Sequence, residues 1–285
     1  MDYSLAPSTL YNVGGAAAVA LIPRNIEEAH EAYDWMREQD APKMILGGGS
    51  NVLIDDAGFP GIVFFTTGLQ ALKPLGDHRY YIGAGVDLDH FVQEILLPNN
   101  YDGVGGLTGI PGSVGGAIYM NAGTVNGSTC QLMESVHLLK PDGEVTLPMH
   151  PELYNYRGQC FCLPGDVILG GTFHCQVAEK DQTAIYNRYI QRRRETQPQG
   201  HCCGSVFKNP EGDHAGRLIE ACGLKGTRHG GAHISSKHAN FIMNDNQARF
   251  EDILYLIQLA KDTVRQEFGI ELEEEVRIIR APALG

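Results

Sequence analysis

Positive charge is scarce in this sequence. Lysine and arginine number 22 against 34 aspartates and glutamates, a net charge of -12, and Arg192-Arg193-Arg194 is the only basic cluster. Such a chain repels nucleic acid and anionic membranes as a whole, so an anionic ligand has to be held locally. Long apolar runs are missing as well. The longest weakly apolar stretch, Gly14 to Pro23, is too short to span a bilayer, and Met1-Asp2-Tyr3-Ser4 lacks the basic segment of a secretory signal. We expect a cytoplasmic protein with no membrane insertion. No C-x2-C pair recurs at metal-ligand spacing: the seven cysteines (130, 160, 162, 175, 202, 203 and 222) are odd in number and scattered. That excludes a secreted disulfide framework and predicts reduced thiols and no metal. Three further signatures fail. No G-x-x-x-x-G-K-[ST] is present, and Gly47 to Asn51 lacks the last glycine of G-x-G-x-x-G and runs into a strand-like stretch. Ser205 in GSVFKNP is followed two residues later by Phe207, where a hydrolase nucleophile elbow needs glycine.

What remains is a chain of 285 residues with 43% apolar content, enough for one large domain or two ordinary ones. Asn25 followed by Glu28 is a helix start, and Ile26, Ala29, Tyr33 and Met36 form one apolar stripe behind it. Lys43-Met44-Ile45-Leu46 reads as a strand, Gly47-Gly48-Gly49-Ser50-Asn51 as a turn, and Val52-Leu53-Ile54 as another strand. Short β-like runs at residues 61–65, 80–82, 136–139 and 167–169 alternate with glycine turns, and Asn126-Gly127-Ser128 reads as one of those turns. Residues 183–199 read as a polar helix running into a linker. A second amphipathic helix carries Ile253, Ile257, Ala260, Val264 and Phe268 on one face and stops at Gly269, and residues 271–279 read as a final strand with an acidic, solvated face. The class is α+β.

Glycine is concentrated at residues 47–49 and again through the segment 103–117. Glycine allows close approach to the main chain, and oriented N–H groups favour anions, so these clusters suit a dinucleotide-sized anion; tight β-turns are the alternative. Seven stretches then occur in order: LGGGSNVLI, GIPGSVGGAIYMNAG, YNYRGQCF, GSVFKNP, GLKG, KHANFIMN and GIELEEEVRII. Together they resemble the UDP-N-acetylenolpyruvoylglucosamine reductases, the flavoenzymes that complete UDP-N-acetylmuramate for bacterial peptidoglycan. The resemblance runs from about Thr9 to Ile279. GGGSN alone indicates only a wider FAD-binding fold shared with many oxidases. The short spacing from Gln197-Pro198 to Ser205 is similar to the branch lacking an extra tyrosine loop over the substrate. Two departures stand out: GTVNGS at 123–128, and Gln159 where serine is common.

The resemblance implies a two-lobed FAD-binding domain of the vanillyl-alcohol-oxidase type over residues 1–190, a smaller α/β substrate-binding domain over 200–272, and a C-terminal strand, 273–285, returning to the first. FAD is then held without a covalent bond by Gly47, Gly48, Gly49, Ser50, Asn51, Val52 and Leu53 and by Gly109, Ile110, Pro111, Gly112, Ser113, Gly115, Gly116 and Ala117. NADPH is the implied co-substrate and UDP-N-acetylglucosamine enolpyruvate the implied substrate. Ser205 is the implied proton donor, Arg157 the fork for a carboxylate, and Glu275 a protonated donor to an enolate. Lys208, Asn209, Lys225, His238 and Asn240 are the implied substrate contacts. The purified protein is accordingly expected to be yellow and to release all of its flavin on acid precipitation; flavin left on the precipitated chain would contradict the non-covalent assignment.

Overall fold

The computed structural model describes residues 2–281; residues 282–285, the end of the expected C-terminal strand segment, lie outside them. The chain forms two compact units, one built from Met1–Val19, Gly49–Pro60 and Arg194–Gly285, the other from Ala20–Gly48 and Gly61–Arg193. Both mix helices with sheets, the α+β class.

In the unit built from residues 20–48 and 61–193, the Asn25 side chain accepts the Glu28 N–H at 2.8 Å and starts helix Ile26–Glu38. The expected stripe is the buried one, with Ala29, Tyr33 and Met36 inside. Strand Lys43–Leu46 lies parallel to residues 62–65. A five-stranded antiparallel sheet takes the order Gly143–Pro148, Met133–Lys140, Val167–His174, Arg79–Gly83, Leu72–Gly76. Its two outer pairs are hairpins, which need only short turns to join antiparallel neighbours. Helix Ile26–Glu38 is tied to this sheet by a polar chain. The Tyr81 hydroxyl meets His137 Nδ1 at 3.0 Å, and His137 Nε2 and His30 Nε2 each approach one oxygen of Glu144 at 2.5 Å. Arg37 adds a bond to the Pro141 carbonyl at 2.7 Å.

The other unit has a three-stranded antiparallel sheet, Arg228–His229, Ala232–Ile234 and Ile242–Asn244, with helices Ala215–Ala221 and Phe250–Phe268. Ile253, Leu256, Ile257, Ala260 and Val264 line the buried face of the long helix and share one core with Phe207, Leu218, Ile234 and Ile242. Gly269 ends the helix in the left-handed region, φ 69°, its N–H returning to the Arg265 carbonyl at 2.9 Å. Phe268 corrects the expected stripe: it is 41% exposed and covered by the Arg217 guanidinium, 5.7 Å from its ring. Periodicity identifies an apolar face but not how far the core beneath it extends.

The final strand is also shorter than expected. Only Arg277–Ile279 is regular, running parallel to Val52–Ile54. The residues before it bond instead to residues 206–208, with Phe207 opposite Glu274. The acidic run is therefore only partly solvated. Glu271 and Glu273 are exposed, whereas Glu274 and Glu275 are half-buried and Leu272 and Val276 are buried.

Bonds from His30 and then His137 hold the Glu144 carboxyl below the usual carboxylate range. A carboxyl depressed in this way stabilises the fold above its unfolded pKa, about 4.3, and stops doing so as pH falls through the folded value. Glu144→Gln should therefore lower the melting temperature at pH 7, and the gap to the parent should close as the pH is taken below about 4. A gap of unchanged size in acid would mean that packing, not charge, is what Glu144 contributes.

Candidate active site

Two glycine turns approach each other where no side chain fits. A Cβ on Gly47 would lie 2.8 Å from Ser113 Oγ, and one on Gly48 would lie 2.8 Å from the Ser113 nitrogen and 3.1 Å from Gly112 Cα. Ser113 holds the contact together, because its Oγ accepts the Gly48 N–H at 3.1 Å and the Gly116 N–H at 3.4 Å while capping helix Val114–Tyr119. Main-chain bonds seat that turn: Leu88 N–H to the Gly112 carbonyl at 2.9 Å, Val114 N–H to Val86 and Gly115 N–H to Ala84, both at 2.8 Å. Gly109, at φ +68°, lies under Arg193, whose Cδ would be 2.8 Å from a Cβ there. Ile110 is half-buried, Pro111 exposed and Ala117 buried.

Arg157 belongs to this same unit. It sits at the tip of a two-residue hairpin between Tyr154–Asn155 and Gly158–Gln159, with φ +58°, a left-handed conformation uncommon for a side chain of its size. Its Nη2 donates to the Gly123 carbonyl at 2.9 Å, and its Cζ lies 5.0 Å from the Tyr156 ring centre. Burial, and secondarily the charge of Arg157, hold Arg193 below the ordinary arginine range. Two guanidinium groups that feel each other in a half-buried setting suit an anion. Arg193 was missed in the sequence, where it reads as one of three arginines in a polar helix. Both departures from the family pattern have local roles. Gln159 pairs with the Cys162 main chain at 2.7 and 3.0 Å, and residues 123–128 form a hairpin with Val125 at its exposed tip.

The rest of the GGGSN turn belongs to the other unit, as do Ser205 and Glu275. Gly49, at φ +61°, leaves no room for a Cβ beside the Ser8 carbonyl. Ser50 and Val52 are half-buried, and Leu53 is fully buried, paired with Ile278 of the C-terminal segment. Asn51 faces the C-terminal segment: its Nδ2 donates to the Glu275 carbonyl at 2.9 Å and its own carbonyl accepts the Arg277 N–H at 3.0 Å.

Ser205, half-buried, follows Gly204 (φ +80°) and precedes two buried residues. The Val206 carbonyl accepts the N–H groups of Glu275 and Val276 at 2.8 and 3.2 Å, and Lys208 N–H reaches the Glu273 carbonyl at 2.9 Å. Serine and glutamate are thus carried by two directly bonded segments. Lys208 and Lys225 each hold a carboxylate, Glu273 at 2.5 Å and Glu220 at 2.8 Å. Asn209 Oδ1 accepts the Ala215 N–H at 3.2 Å, at the start of helix Ala215–Ala221. His238 Nδ1 accepts the Asn240 N–H at 3.3 Å, and burial, then Lys225, push its imidazole toward the neutral form. Asn240 is buried, its amide turned onto Phe207.

A model of the FAD binding domain matches residues 17–147, and a model of the C-terminal domain of UDP-N-acetylenolpyruvoylglucosamine reductase matches residues 197–279. The chain is similar to UDP-N-acetylenolpyruvoylglucosamine reductase 1 of Bacillus thuringiensis subsp. konkukian, 35% identical over 285 residues, 98% of this chain and 94% of the relative. It is also similar to UDP-N-acetylenolpyruvoylglucosamine reductase of Clostridium novyi, 38% identical over 276 residues, 95% of this chain and 89% of the relative. Among solved structures, UDP-N-acetylenolpyruvylglucosamine reductase from Thermus caldophilus superposes with a TM-score of 0.79 at 34% identity, covering 98% of each chain.

The glycine turns fit such a cofactor. Around Gly116 only Ser113 Oγ, at 3.5 Å, would lie within 4 Å of a Cβ apart from the helix's own main chain, so there is space for a ligand beside its Cα. Ser113 Oγ uses its acceptor capacity on two N–H groups, which leaves its hydroxyl hydrogen to donate. Gly48→Ala should force the Gly112–Ser113 main chain away and lower the FAD retained through gel filtration. Gly47→Ala, which meets a single side-chain atom, Ser113 Oγ, at that distance and no main chain, should lose less. Equal retention in Gly48→Ala and the parent would remove this contact from the FAD site.

Proposed function

The chain belongs to the UDP-N-acetylenolpyruvoylglucosamine reductases, FAD-dependent oxidoreductases of peptidoglycan precursor synthesis, and from that premise we propose that it reduces UDP-N-acetylglucosamine enolpyruvate to UDP-N-acetylmuramate with NADPH as reductant. The turns at 47–49 and 109–117 would hold FAD without a covalent link, and bound FAD would supply hydride chemistry for the enolpyruvyl methylene carbon. The remaining work falls to side chains of this protein.

Reduction at the methylene carbon leaves carbanion or enolate character at its neighbour, and that carbon needs a proton. A serine hydroxyl is a weak acid, yet such a centre is basic enough to take its proton, and we assign that donation to Ser205. The enolate's carboxylate oxygens need positive charge or donors, the task that preorganised groups perform best. Arg157 offers a planar fork to them, which a lysine ammonium cannot, and Glu275 in its protonated form offers a second donor. Lys208, Asn209, Lys225 and His238 are assigned to the UDP portion; the two lysines exchange Glu273 and Glu220 for phosphate oxygens when substrate arrives. Residues 1–190 are assigned to FAD, 200–272 to the substrate, and the segment from 273 returns to the first. A nucleotide-sugar substrate and the lack, among described residues, of a helix long and apolar enough to cross a membrane support a cytoplasmic setting.

The observation that carries this reading is the bonding of Val206 to Glu275 and Val276, at 2.8 and 3.2 Å, because it brings the serine and glutamate of the family pattern onto adjoining segments. Ser205→Ala separates the half-reactions. Flavin content and flavin reduction by NADPH should stay at parent values, whereas reoxidation of the reduced protein by the enolpyruvyl substrate, followed by stopped flow, should slow about 10²–10⁴-fold. Reoxidation at the parent rate, or loss of the reductive half alone, would assign the GSVFKNP turn to packing or phosphate binding instead.

A further inference from the structure

Val206 and Phe207, of which Phe207 forms a single bridge to Glu274, have an unusual partner on the other side. On that side the Asn240 carbonyl accepts the Val206 N–H at 2.9 Å. The Asn240 side chain then continues the ladder, its Oδ1 accepting the Phe207 N–H at 3.0 Å and its Nδ2 donating to the Phe207 carbonyl at 2.8 Å. One asparagine therefore makes three bonds to two consecutive residues, from a position 3% exposed. On the opposite side the Val206 carbonyl takes the Glu275 and Val276 N–H groups.

We infer that Asn240 is a positioning residue for the reaction, holding Ser205 and the main chain of Glu275 in register through Val206 and Phe207; this rests on the reading of Ser205 as proton donor. Ser205 stands between Gly204, at φ +80°, and Val206, so the bonds made by the residues that follow it bear directly on where the serine sits. Those residues are the two that Asn240 grips. A carboxamide is the side chain that can donate and accept side by side as a peptide group does. Aspartate has the same shape and keeps the acceptor, but it faces the Phe207 carbonyl with an oxygen instead of an N–H. The outcome is a displaced rung in a buried ladder, and displacements of about 1 Å at a reacting group can cost about 10²-fold.

The test compares parent and Asn240→Asp as FAD-loaded full chains. In the variant, flavin content and reduction by NADPH should match the parent. Reoxidation by UDP-N-acetylglucosamine enolpyruvate should slow about 10–100-fold with KM nearly constant, and its solvent deuterium isotope effect should rise as proton transfer becomes the slow step. A raised KM with unchanged kcat would make Asn240 a substrate contact and overturn the inference, as would reoxidation at the parent rate. If Asn240→Asp does not load flavin, Asn240→Ser is measured in its place, and failure of both would make Asn240 a requirement of folding and equally overturn it. A parent protein that the substrate does not reoxidise would instead defeat the reductase reading, and the inference with it.

Discussion

Val206 and Phe207 are buried, so each of their four main-chain polar groups has to find a partner inside the protein. All four do: the two N–H groups and the Phe207 carbonyl are met by Asn240, and the Val206 carbonyl by Glu275 and Val276. Their side chains lie in the core that also takes in Leu218, Ile242 and the buried face of helix Phe250–Phe268. Hydrogen bonding therefore sets the register of Ser205 against Glu275, and apolar burial holds that register in place. Leaving one of these groups unpaired would cost about 1–3 kcal/mol, a large share of a typical domain's stability.

Close approach of main chains is the second constraint. Gly48 against Gly112–Ser113, Gly49 against Ser8 and Gly115 against Ala84 are contacts that any side chain would push apart. The glycines are needed for different reasons. Gly49 and Gly109 occupy left-handed φ, whereas Gly48 does not and is required for space alone. That distinction tells steric from conformational demand at positions that look alike in a glycine-rich run.

Several elements were legible because their signals are local. The Asn25–Glu28 cap, the Ala29, Tyr33 and Met36 stripe and the Gly269 stop depend on residues within one or two turns of each other. Phe268 and the final strand were misjudged because their surroundings come from elsewhere in the chain, Arg217 in one case and residues 206–208 in the other. Arg193 was hidden for the same reason. Nothing in Arg192-Arg193-Arg194 distinguishes the member that lies over Gly109 and feels the charge of Arg157.

The sequence by itself determined the class of the protein and its family, because ordered motifs, spacing, composition and helix caps are properties of neighbours along the chain. It also determined that any anion must be held locally, since the net charge is negative throughout any arrangement of the fold. Only the tertiary structure decided what the asparagines do. Asn51 and Asn240 stand in motifs that suggest ligand contacts, yet their amides meet the Glu275 carbonyl and the Phe207 main chain. Those partners lie 224 and 33 residues away in sequence. An amide satisfies whichever buried group it meets, and folding alone determines which group that is.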